Sequence, residues 1–250
     1  MNVRAVAASL VVAGVVLARH GDARACGASG PDGVSACSLD EHAAASRRWQ
    51  AGVSGVYTST ALRFDGDRRA DEQRGAVLAS LAYRVAPRVT LQAAAGASLG
   101  GSLTLRGVEH VFDPGFAAAL GASFRVLDAE GARPFVLLTA QLASSVTTTT
   151  RRATATRAEG GKSGYEAFDL RAGVLVGTTL WGAVSPYAAG RVFGGPAFWR
   201  DEGTAITGTD VSHYQVGAGV SARIGDRVSL FAEGIPLGER AVSGGASLLF

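Results

Sequence analysis

Seven charged residues carry most of the chemistry open to this chain. Arg84, Arg125, Asp169, Arg171, Arg191, Arg223 and Glu233 each sit in a stretch where large apolar and small residues alternate. Each falls on the side opposite most of the large apolar residues of its stretch, with Leu175 and Phe231 among the exceptions on the charged side, because successive side chains of an extended strand point to opposite faces. Such a set either pairs into a hydrated network or, with its excess of arginine, lines a path that favours anions. Acid–base chemistry would need histidine or coupled carboxylates. His110 lies near Glu109 and Asp113, and His213 near Ser212 and Asp210. No two carboxylates are spaced to activate a water, and Ser212 beside His213 is too generic a pairing to mark an activated nucleophile, so the sequence assigns no catalytic residue. Gly194-Gly195-Pro196 lacks the Lys and Ser/Thr of a phosphate loop. No cofactor or metal site is expected. Cys26 and Cys37 are the only cysteines. A closed zinc site wants four ligands, and only His42 and the Asp40/Glu41 pair lie near. In an oxidising compartment the default is a Cys26–Cys37 disulfide, which lipidation of Cys26 would exclude.

The elements that must position these charges are strands. From Trp49 onward the hydrophobic period is two, in ten stretches at about 49–63, 74–85, 89–104, 116–127, 134–147, 165–179, 185–194, 213–224, 228–235 and 241–250. In the second, Val77, Leu81 and Val85 oppose Ser80, Ala82 and Arg84. In the fifth, Leu138 and Leu142 oppose Thr139 and Gln141. In the seventh, Ala188, Gly190 and Val192 are expected outward, with Tyr187 and Arg191 inside. The joins after the second, fourth, sixth and eighth stretches are short. Those after the first, third, fifth and seventh read as longer polar loops, including 65–72, 147–164 and 195–213.

The first 25 residues have the form of a secretory signal: Arg4, an apolar run at 5–18, and Ala23-Arg24-Ala25 as a small-x-small cleavage site. Residues 26–48 then form an exported lead-in, in which Ser38-Leu39-Asp40-Glu41 matches a helix capping box. Residues 49–250 form the main domain. The formal net charge of +3 is small, and acidic and basic residues are interspersed along the chain, so no nucleic-acid partner is expected. No stretch after the leader reaches the roughly 18 apolar residues of a membrane helix, so any membrane crossing must use strands.

A closed antiparallel transmembrane barrel accounts for this pattern. It satisfies every backbone group internally, turns apolar residues to hydrocarbon and leaves small or charged ones in the lumen. An even strand number returns both termini to one side. Phe198, Trp199 and Tyr214 are expected in an outer aromatic belt, and Trp49 and Trp181 in the periplasmic one. A soluble sandwich would instead leave one face of each strand in water.

The last stretch, Ala-Val-Ser-Gly-Gly-Ala-Ser-Leu-Leu-Phe, puts Val242, Leu248 and Phe250 on one side. It resembles the C-terminal strand of bacterial outer-membrane β-barrels, and with the leader and the alternation the chain resembles small members of that broad class. The resemblance implies an outer-membrane location with periplasmic termini, and an assembly signal at Leu248 and Phe250. It also implies contact with periplasmic chaperones, the barrel-assembly machinery, outer-membrane lipid and lipopolysaccharide. It transfers no catalytic residue. A structural or otherwise unassigned envelope role is the expected function. A narrow anion-favouring channel for small solutes is the alternative, and an outer-membrane protease or lipid-modifying enzyme a weaker one.

Overall fold

The computed structural model describes residues 48–127, 134–153, 160–201 and 203–250. The leader, both cysteines and His42 lie outside the described residues. All regular structure among the described residues is strand: β1 (Trp49–Phe64), β2 (Arg68–Ala86), β3 (Val89–Leu105), β4 (Val108–Phe112), β5 (Gly115–Leu127), β6 (Phe135–Arg151), β7 (Lys162–Gly177), β8 (Val184–Gly194), β9 (Pro196–Asp201), β10 (Thr204–Asp210), β11 (Tyr214–Ile224), β12 (Val228–Gly238) and β13 (Arg240–Leu249).

These strands form one antiparallel sheet that closes on itself. Its wide ring runs β1, β2, β3, β5, β6, β7, β8, β11, β12, β13 and back to β1. The seam is β1 against β13, in register from Gln50↔Leu249 to Ser59↔Arg240. At its foot the Trp49 amide donates to the Phe250 carbonyl at 3.2 Å and the Phe250 amide to the Trp49 carbonyl at 3.0 Å. This is the seam end, and the opposite end is the distal end. Closure leaves no unpaired edge for hydrocarbon to penalise.

Above the β12–β13 hairpin the wall narrows. A second ring runs β1, β2, β3, β4, β6, β7, β9, β10, and β10 closes it onto β1 from Leu62↔Asp210 to Phe64↔Gly208. Thirteen strands therefore replace the ten expected, because three passes break in two where the rings meet. The breaks fall at Asp113-Pro114, at Gly195, and at residues 211–213. Pro114 cannot donate to a ladder. A side chain at Gly195 would strike the Phe168 carbonyl.

Two kinds of wall result. Around the wide ring the outward side chains are apolar and uncovered: Val53 is 53% exposed, and Leu120 and Val192 are each 62% exposed. Phe168 and Phe198 meet edge to face at the distal border of this band, and Trp49 and Tyr83 pack at its seam-end border. In the narrow ring the arrangement inverts. Leu62, Phe64, Leu103, Leu105, Phe112, Tyr165, Trp199 and Ile206 point inward and form one buried cluster. The stretches at 65–72, 105–115, 147–164 and 195–213, expected as loops, are largely the strands of this head. Their outer faces meet water, so the polar residues face out and the sequence takes on a loop-like composition. Trp199, expected in the outer belt, is only 2% exposed and sits inside the plug.

Candidate functional site

Wide-ring strands bring their inward residues into one lumen, which is layered along its axis. Nearest the seam end, Phe135, Leu137, Leu175, Tyr187 and Ala189 form a small apolar cluster, with Phe231 packed on it. Arg125 and Arg223 are buried at this level, and Arg84 is half-buried at its edge.

Above lies a forked, buried ion pair. Arg191 on β8 donates from both terminal nitrogens to both Glu233 carboxylate oxygens on β12, at 2.9 and 2.8 Å. The Tyr187 hydroxyl adds a bond to Glu233 at 3.1 Å. Such forked geometry fits a guanidinium to a carboxylate and offsets part of the cost of burying both charges. Two glycines make the room. A side chain at Gly219 would collide with the Tyr187 hydroxyl, and one at Gly173 with Arg191. Inward glycines at the strand period thus serve as the floor under large lumen residues.

The next layer is a polar cavity of about 90 Å³. Arg74, Asp169, Arg171, Glu239, Ser98 and Ser145 line one part, and Leu78, Ala117, Ala119, Ala143 and Ala167 the rest. Arg171 pairs with Asp169 and, at 3.0 Å, with Glu239, and its guanidinium lies over the Phe193 ring at 4.9 Å. Gln215 donates to Glu239 at 2.6 Å. Arg74 bonds Glu72 at 2.9 Å and Ser145 at 2.6 Å. The cavity is polar and roomy enough for several ordered waters.

The distal plug closes over this layer. The Tyr165 hydroxyl donates to Glu72 at 2.6 Å, and the Trp199 indole to Thr149 at 2.9 Å. Beside it, at the end of β10 and beyond the apolar band, Asp210 has its pKa pushed up to about 7. Burial is the main cause, and the negative charges of Glu239, Asp169 and Glu72 add to it. On the outer surface the Lys162 ammonium and the Thr148 hydroxyl hold the Asp113 carboxyl below its ordinary value.

All seven charges singled out in the sequence belong to the wide ring. Arg191 joins Glu233, Asp169 joins Arg171, and Arg84, Arg125 and Arg223 stay near the seam end. Sequence reasoning did not single out Glu72, Arg74, Tyr165 and Glu239, and named Asp210 only as a neighbour of His213. Glu72 and Glu239 were read as connection residues, although Ala70, Glu72, Arg74, Ala76 and Leu78 continue the inward register of β2 without a break. Two histidines lie near the distal end. His110 is buried edge-on to Trp199 at 4.7 Å, and the His213 ring lies 3.3 Å from the Phe193 carbonyl. Among the described residues no group of three or more His, Cys, Asp or Glu side chains could hold a metal ion.

No protein-family model matches the chain, and no curated protein matches it in sequence. Its similarity is to solved structures. The outer membrane protease OmpT of Escherichia coli superposes with a TM-score of 0.53 at 12% identity, covering 81% of this chain and 97% of that one. The translocator domain of the autotransporter NalP of Neisseria meningitidis follows with a TM-score of 0.47 at 10% identity, covering 81% and 88%. At these identities the likeness is one of fold. A closed antiparallel wall, an uncovered apolar band with aromatic borders and a charged interior agree with that fold on physical grounds. The chain has the fold of a closed antiparallel β-barrel, similar to that of the outer membrane protease OmpT.

Proposed function

We propose that this protein is a closed, non-conducting barrel with a structural role in the outer membrane, its seam end toward the periplasm and its narrow head outside. The observation that carries this reading is the distal plug. Phe64, Phe112, Tyr165 and Trp199 fill the narrow ring with buried aromatic side chains, and the Arg191–Glu233 pair and the Phe135 cluster obstruct the lumen below it. A solute would have to displace packed aromatic rings and then break a buried ion pair, and small barrels fill their interiors in this way. Arg171 and Arg191 therefore act as members of ion pairs that brace the wall, in place of an anion filter. Purified protein in planar bilayers is expected to show no steady conductance. A sustained anion-selective current from the unmodified chain would overturn the reading in favour of the channel.

The exposed Phe250 and Leu248 on the seam strand support a role for them in recognition by the assembly machinery. Replacing Phe250 by Ser is expected to lower the yield of inserted barrel in cells while leaving refolding into detergent unchanged. Loss of both would mean the residue serves only the seam.

A further inference from the structure

The two ends of the barrel differ sharply in charge, although the sequence intersperses acids and bases along its length. At the distal end most surface charges are paired: Arg63 with Asp67 at 3.2 Å, Arg69 with Asp71 at 3.8 Å, Arg152 with Glu109 at 2.6 Å and Lys162 with Asp113 at 2.9 Å. The seam end gathers Arg48, Arg84, Arg88, Arg125, Arg223 and Arg227, and Asp226 is the one side-chain carboxylate among its described residues. The connection at 128–133, outside the described residues, adds Asp128, Glu130 and Arg133, which leaves the arginine excess in place.

Backbone hydrogen bonds set these arginines side by side. The Arg84 amide donates to the Arg48 carbonyl, the Arg125 amide to the Arg88 carbonyl, and the Leu249 amide to the Arg227 carbonyl. With Trp49 and Phe250 joined at the seam, the series makes an arc along one sector of the rim. Arg48, Arg88 and Arg227 are exposed. The Trp49–Tyr83 pair, with ring centroids 4.5 Å apart, lies next to them at the edge of the apolar band. Amphipathic rings of this kind sit at the headgroup level of a bilayer, so the exposed guanidiniums lie where lipid phosphates are found.

We propose that this arc is a docking surface for the phosphodiester headgroups of anionic phospholipids in the leaflet it meets. Three observations converge on that occupant: an arginine surplus over the local carboxylates, a level fixed by the aromatic border, and exposed guanidiniums at successive positions along the rim. Guanidinium binds phosphate through two parallel hydrogen bonds. The inference depends on the barrel crossing a membrane and is independent of whether its lumen conducts.

Native mass spectrometry of the protein released from micelles holding equal amounts of phosphatidylglycerol and phosphatidylcholine tests it. The full chain is expected to retain phosphatidylglycerol by about five-fold or more over phosphatidylcholine, the scale of one or more arginines acting on an anionic lipid surface. The triple variant Arg48→Gln/Arg88→Gln/Arg227→Gln should lose that preference while keeping folded mobility on an unheated gel. The distal variant Arg63→Gln/Arg69→Gln/Arg152→Gln should keep it. Equal retention of both lipids by the unmodified chain would overturn the proposal, as would an unchanged preference in the folded triple variant or an equal loss in the distal one. Should the triple variant fail to fold, a salt titration of the unmodified chain decides. The preference must fall as ionic strength rises, and a salt-independent preference counts against the arc.

Discussion

Arg191 and Glu233 stand on β8 and β12, strands that do not pair, and they meet through the lumen across β11 with two hydrogen bonds of 2.9 and 2.8 Å. Removing one partner strands a buried charge. Glu233→Ala is expected to destabilise the barrel by about 3–5 kcal/mol. The double change Arg191→Met/Glu233→Leu should cost much less, since neither charge is left alone. Urea unfolding from lipid vesicles measures both, and equal losses in the single and double variants would show that the pair is not a unit.

Trp199 ties the distal plug together. It packs at 5.7 Å from Phe64 and 4.7 Å from His110, and its indole nitrogen reaches Thr149. Trp199→Ala is expected to cost about 3–5 kcal/mol by opening a cavity. Because the damage is confined to the head, the β9–β10 hairpin should become the first site of protease cleavage while the wide ring stays resistant. Uniform loss of resistance would mean the head and ring do not act as separate layers.

Asp210 makes stability depend on pH. Its folded pKa of about 7 lies above the ordinary carboxyl value of 3.8. A carboxyl raised in this way contributes its stability in full at pH below the unfolded value, and that contribution is lost as pH rises through the folded one. Asp210→Asn should therefore be relatively stabilising near pH 8, on the order of 2 kcal/mol, and nearly neutral at pH 4. Denaturation midpoints across that range check the sign, and a variant that weakens the protein equally at both pH values would refute it.

Gly219 tests the glycine floor of the lumen. A side chain there would collide with the Tyr187 hydroxyl, which in turn bonds Glu233. Gly219→Val is expected to cost about 1–3 kcal/mol through overpacking. The ring carbon that bears the hydroxyl clashes as well, so Gly219→Val/Tyr187→Ala, which removes the whole ring, should cost less than the two single changes added together. Additive losses would place the strain in the backbone instead.

The sequence by itself determined the architecture of the wide ring. Alternation at Val77, Leu81 and Val85, at Leu138 and Leu142, and at Val242, Leu248 and Phe250 marked the residues that face lipid, because a strand turns alternate side chains to opposite faces and hydrocarbon tolerates only one kind. The same rule placed Tyr187 and Arg191 inside. What only the tertiary structure decided was which solvent lies beyond each part of the wall. Leu62, Phe64 and Trp199 follow a two-residue period as well, but water surrounds the narrow head, so there the apolar side turns in and a polar outer face looks like a loop. Closure likewise decided the pairings. Glu72 meets Tyr165, and Glu233 meets Arg191, because a ring brings strands distant in sequence onto one lumen, and spacing along the chain holds no record of that distance.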